Sequence, residues 1–158
     1  MTGPRVLRVA SFAAALVLTG CAGDAVATPA TTANYLQEYA NAGSALDTAT
    51  TTWDALGQAL VAANTNTVAN EAPIDATYAR ALQAFSTALL TIQFPASATN
   101  GVHQVVNAAN TVRTDLAGVA SGAVSTAKFV SDESNLQAAI NVVQQELGLG
   151  SSTPIAGA

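Results

Sequence analysis

The chain holds one cysteine, one histidine and one tryptophan in 158 residues. A lone cysteine excludes an intrachain disulfide and any zinc site built on paired thiolates. The lone histidine, His103, has Thr99, Asn100, Val106 and Asn107 at three and four residues' distance, none of them a metal ligand. Glu38, Glu71, Glu133 and Glu146 form no Glu-x-x-His pairing, which argues against a di-metal bundle. One histidine beside a helical seam also argues against a Ser-His-Asp triad. There is no glycine-rich phosphate loop and no dinucleotide fingerprint. No catalytic set, metal or cofactor is expected.

Charge is scarce as well, at 9% of residues. Beyond position 20 the basic residues are Arg80, Arg113 and Lys128, against ten acidic ones, a net charge of −7. Without a basic patch, nucleic acid is not an expected partner, and neither is an anionic lipid surface held by charge alone. No apolar run reaches the roughly 20 residues that a spanning helix needs.

What is present begins with the first 20 residues. Arg5 and Arg8 precede an apolar run from Val9 to Leu18, interrupted only by Ser11. Small residues follow, then the cysteine. This is the three-part order of a secretory signal. The stretch Leu18-Thr19-Gly20-Cys21 resembles the lipobox of bacterial lipoproteins. That resemblance implies a thioether-linked diacylglyceryl group on Cys21, cleavage before it, and acylation of the new amino group in many species. Two or three acyl chains make a stable anchor where one is marginal. Residues 1–20 are then a signal peptide and 21–32 a flexible Ala/Thr/Gly/Pro tether. Thr28, Thr31 and Thr32, around Pro29, are candidate O-glycosylation sites on it. Residues 33–148 form the domain, and 149–158, with its Gly and Pro breaks, a tail.

Four segments of the domain carry apolar residues at helical spacing. In the first, Leu36, Tyr39, Gly43, Leu46, Thr50, Trp53, Gly57 and Leu60 alternate by three and four. One row is bulky (Tyr39, Leu46, Trp53, Leu60) and the other small (Gly43, Thr50, Gly57). Small residues every seventh position predict a close helix crossing, which Gly57→Leu would overpack. The second segment runs through Tyr78, Leu82, Phe85, Leu89 and Ile92, with Asp75 as its expected N-cap and Pro95 as its stop. The third runs from Val102 through Leu116 to Ala123, with Ser97, Thr99 or Asn100 as cap. The fourth holds Leu136, Ile140, Val143 and Leu147, with a start at Ser131-Asp132-Glu133 and a stop at Gly148. No segment alternates with period two. Short links make successive helices antiparallel neighbours. The expected fold is all-α, an antiparallel up-down four-helix bundle. Gly118 and Gly122 suggest a further close crossing.

Together with the lipobox, the Ala/Thr-rich helical body resembles the small lipoproteins of mycobacteria and related actinobacteria. The resemblance implies a place, the extracytoplasmic face of the cell membrane or further out on the cell surface, more than an activity. Two non-enzymatic functions follow from the residues. Neutral polar faces (Gln104, Asn107, Asn110, Thr111 and Thr114 on one helix; Gln137, Asn141, Gln144 and Gln145 on another) suit contact with envelope glycolipid, polysaccharide or another protein. Alternatively, the small seam borders a slot that carries a lipid or other apolar ligand. The aromatic residues read first as core filling.

Overall fold

The computed structural model describes residues 31–149. Four helices make up its architecture: α1 (Thr31–Ala62), α2 (Val68–Thr91), α3 (Thr99–Ser121) and α4 (Thr126–Glu146). They form an antiparallel four-helix bundle, with α1 against α2, α2 against α3 and α3 against α4. No strand occurs among the described residues. No described helix is long and apolar enough to cross a membrane. The expected signal segment, the stretch resembling a lipobox with Cys21, and Thr28 lie outside the described residues. Thr31 and Thr32, read as tether, fall in the first turn of α1.

The apolar seams read from spacing are the core. Tyr39, Leu46 and Trp53 of α1 are buried with Tyr78, Leu82, Phe85 and Leu89 of α2. Val102, Val105, Ala109, Val112 and Leu116 of α3, and Leu136, Ile140 and Val143 of α4, complete it. Two buried hydroxyls donate within their own helices: Thr50 to the Leu46 carbonyl and Ser86 to that of Leu82. This local bonding gives a hydroxyl proton an acceptor in the core without one from another helix.

Several helix ends differ from those expected. α2 starts at Val68, seven residues before Asp75, and carries Pro73 inside it. Thr67 is its N-cap, accepting from the Asn70 amide at 3.3 Å. α3 follows Ala98 without a side-chain cap, so none of Ser97, Thr99 and Asn100 serves. Ala98 is instead wholly buried, and its amide donates to the Pro95 carbonyl in a turn that leads into the helix. α4 starts at Thr126, capped by Ser125 through the Lys128 amide at 3.2 Å. Ser131, Asp132 and Glu133 are therefore mid-helix. Gly148 does end α4, at φ +73°.

Gly118 and Gly122 mark a helix end, not a helix crossing. Gly122 adopts φ +76°, and the Ala123 and Val124 amides return to the Gly118 carbonyl. The Val124 side chain folds onto Gly118, where a Cβ would collide with it. This is a left-handed C-terminal closure with a hydrophobic lock. At the opposite end of α3, Gly101 gives the close approach. A Cβ there would stand 2.9 Å from a Val143 methyl of α4 and collide with the Glu146 carboxylate.

The bundle is wide on one side. Nowhere do Cα atoms of α1 and α4 come within 8 Å of each other. Large side chains bridge that gap: the rings of Trp53 on α1 and Phe129 on α4 are 5.9 Å apart. The small row of α1 thus draws no neighbouring backbone close. A Cβ built on Gly43 or Gly57 would meet nothing within 4 Å, which overturns the tight crossing expected from the sequence.

Candidate functional site

The space beside Gly57 is a cavity of about 370 Å³. That is within the usual range for small-molecule pockets, about 300–1,000 Å³. It lies where the α1–α2 and α3–α4 links meet, between the last turns of α1, the first turns of α2, the end of α3 and the start of α4. The local sequence shapes this end. Asn64, at φ +57°, turns the chain out of α1, a conformation asparagine tolerates better than most residues. The Asn70 amide group ties the link by donating to the Thr65 carbonyl at 2.7 Å.

Trp53 forms one wall. Its indole Nε1 donates to Asp75 Oδ1 at 2.8 Å, a buried hydrogen bond from α1 to α2. Its ring stacks on Tyr78 with centroids 4.9 Å apart and planes 23° apart. Asp75, expected as a cap, is instead the buried acceptor that fixes the tryptophan. Ile74, Val61, Val68 and Val119 supply apolar lining, and Asp54, Glu71 and Asp75 supply carboxylates. Gln58 donates to Asp54 at 2.8 Å.

Behind this wall lies Glu133 of α4. Burial raises its carboxyl, the nearby Asp54 charge raises it further, and a hydrogen bond from the Tyr78 hydroxyl opposes them, leaving it at about 7. Burial likewise pushes the Tyr78 hydroxyl well above its ordinary value, as does the neighbouring Glu133 charge. Lys128, nearby on α4, bonds Asp115 at 2.9 Å and also Asp132. Those two carboxylates hold its ammonium above the usual lysine range, and Lys128 in turn holds Asp132 below the usual carboxylate range.

The other sequence candidates do not gather into a site. His103 is exposed on α3. No group of three or more His, Cys, Asp or Glu residues among those described could hold a metal ion. The aromatic residues fill the core, as expected: Tyr39, Trp53, Tyr78, Phe85 and Phe129 are buried, and Phe94 packs on Tyr35 and Tyr39 at 6.3 and 6.0 Å. On the polar faces, Gln104, Asn107, Thr111, Thr114 and Gln145 are exposed, while Gln144 is buried with its Oε1 unpartnered. Its spacing, four residues after Ile140 and three before Leu147, fits the α4 stripe, and only its amide placed it on the polar face. The cavity was equally hidden. Its only trace in the sequence was the small row, and Gly57 alone of that row lines it.

No family model, no curated protein and no solved structure matches the chain.

Proposed function

We propose that this is a lipid-anchored, non-enzymatic binding protein of the cell envelope, held at the extracytoplasmic face through Cys21, whose bundle receives a small molecule in the cavity beside Trp53. The observation that carries the reading is the cavity itself, with unfilled space over Gly57. It supports the carrier alternative over recognition of glycolipid, polysaccharide or a protein on the helix faces. The hydroxyls of those faces add weight. Thr111 and Thr114 each donate to the carbonyl four residues back, as do Thr48, Thr52, Thr77 and Thr87. Their single protons are committed to their own helices, which weakens them as donors to a sugar.

The cavity's position bears on what it would bind. Gly57 is 26 residues along α1 from Thr31, about 40 Å at 1.5 Å per residue. A chain anchored at Cys21 would thus carry the cavity at the end of the domain away from the anchor. That favours a ligand taken from the surroundings over an acyl chain drawn from the anchoring membrane.

Gly57→Leu tests the reading. Leucine is the better helix former by about 0.8–1 kcal/mol, and its side chain has room to enter the cavity. The variant should melt at or above the wild-type temperature. Solvent extracts of the full-length protein, purified from its own membranes, should show by mass spectrometry a compound with wild type that is missing from the variant. Identical extracts from the two would overturn the proposal, and a lower melting temperature would mean the space is not there.

The anchor is tested separately. Cys21→Ser should leave the precursor uncut before position 21 and free of acyl chains. Membrane-bound material that still labels with a radioactive fatty acid would refute lipidation at Cys21.

A further inference from the structure

We infer that the cavity takes an organic amine, its ammonium group seated by Asp54 and its apolar body against Val61, Val68 and Ile74. This rests on the reading of the cavity as a ligand site and adds the chemical class. The lining is mixed: apolar side chains, neutral amides and hydroxyls, and the carboxylates of Asp54, Glu71 and Asp75, with no basic side chain among the described lining residues. The three basic residues of the bundle lie outside the lining. Lys128 is bound to Asp115 and Asp132 on the flank of α4. Arg80 is exposed on α2, bonded to Thr77. Arg113 lies midway along α3, away from the lining. The negative field is felt behind the wall, where Asp54 helps to hold the Glu133 carboxyl up.

A ligand entering this space displaces water from around carboxylates. An anion would meet like charge there, and a neutral molecule would return at most a hydrogen bond with no opposite charge for the hydration lost. An ammonium group offers up to three donors, and its hydrogen bonds to a carboxylate are the short, strong, charge-assisted kind. The apolar part of the ligand accounts for the rest. Val61 and Val68 remain 40% and 58% exposed, so the rim is apolar and still open to cover. A body of modest size fits about 370 Å³.

Three probes of one shape separate the possibilities: cyclohexylmethylamine, cyclohexylmethanol and cyclohexanecarboxylate. Binding to the full-length protein in detergent micelles can be followed by emission from Trp53, the only tryptophan, and by calorimetry. The amine should bind about tenfold or more tightly than the alcohol, and the carboxylate weakest of all. Asp54→Asn should weaken the amine by about tenfold and leave the alcohol unchanged. Glu71→Gln, in the first turn of α2, should act in the same direction. If amine and alcohol bind equally, or the carboxylate binds best, the amine assignment is overturned while the cavity remains a ligand site. If none of the three binds and Gly57→Leu leaves the solvent extracts unchanged, both the assignment and the proposed function fall.

Discussion

Trp53→Ala should destabilise the bundle by about 3–5 kcal/mol, the range for emptying a large aromatic site in a core. Three contacts are lost together. The indole stacks on Tyr78 of α2, touches Phe129 of α4, and donates to Asp75. It is also a principal bridge over the side of the bundle where the α1 and α4 backbones stay apart. Domains of this size have total stabilities of about 5–15 kcal/mol, so the loss is a large share. The melting temperature should fall by roughly 10–20 °C. Trp53→Phe keeps much of the apolar bulk and loses the donor with part of the ring, so its cost should be smaller, about 1–3 kcal/mol. Urea titrations followed by circular dichroism measure both. A loss under about 1 kcal/mol for the alanine variant would mean that the aromatic bridge does not hold α1 to α4.

Glu133→Gln should make the protein more stable, and only above acid pH. The carboxyl sits at about 7 in the fold because burial and the Asp54 charge oppose its ionisation. In the unfolded chain it returns to about 4.3. Below that value it is protonated in both states and costs nothing. Between there and about 7 the unfolded chain releases a proton that the fold retains, so stability falls as pH rises. Above about 7 it is ionised in both states and the whole penalty stands. At about 1.4 kcal/mol per pKa unit, the penalty is at most nearly 4 kcal/mol, and water at the partly exposed side of the carboxyl reduces it. Glutamine keeps an oxygen for the Tyr78 hydroxyl and removes the titration. The two proteins should therefore match near pH 4 and diverge to about 2–3 kcal/mol by pH 8, with the variant the more stable. A constant difference across that range would show that Glu133 is not the titrating group. Asp132, held low by Lys128, titrates in the opposite sense, but it is common to both proteins and cancels in their difference.

Both predictions concern one end of the bundle, and they connect to its use. The same aromatic wall that closes the α1–α4 gap bounds the cavity. The same Asp54 that raises Glu133 would receive the ammonium group of a ligand. An amine seated by Asp54 should lower the Glu133 carboxyl by offsetting that charge. The pH profile of stability and the affinity for cyclohexylmethylamine are therefore linked quantities, measurable on one protein.

The sequence by itself was enough for the number of helices, their order and nearly all of the core. An amphipathic period is local, and the stripe of Val102, Val105, Ala109, Val112 and Leu116 allows one buried face whatever the partner. It also held the shortage of histidine, cysteine and basic residues that bounds the chemistry. Helix starts were less legible. Thr67 and Ser125 cap helices that begin several residues before their apolar stripes: the first turn of α2 lies at the bundle end and buries little, and the first turn of α4 buries only Phe129, out of step with any repeat. Pro73, two residues before the expected Asp75 cap, lies inside α2. The small row of α1 was legible as a pattern but not in its meaning. Gly57 fits a tight crossing or an open slot equally well, since a missing side chain states only that nothing of its own fills the space. What fills it depends on where α4 lies, and that is set by contacts far apart in sequence: Trp53 with Phe129, Trp53 with Asp75, and the Glu133 carboxyl near Asp54. Only the tertiary structure could decide that α1 and α4 stand apart, and so place Gly57, one residue of that row, in the wall of a cavity.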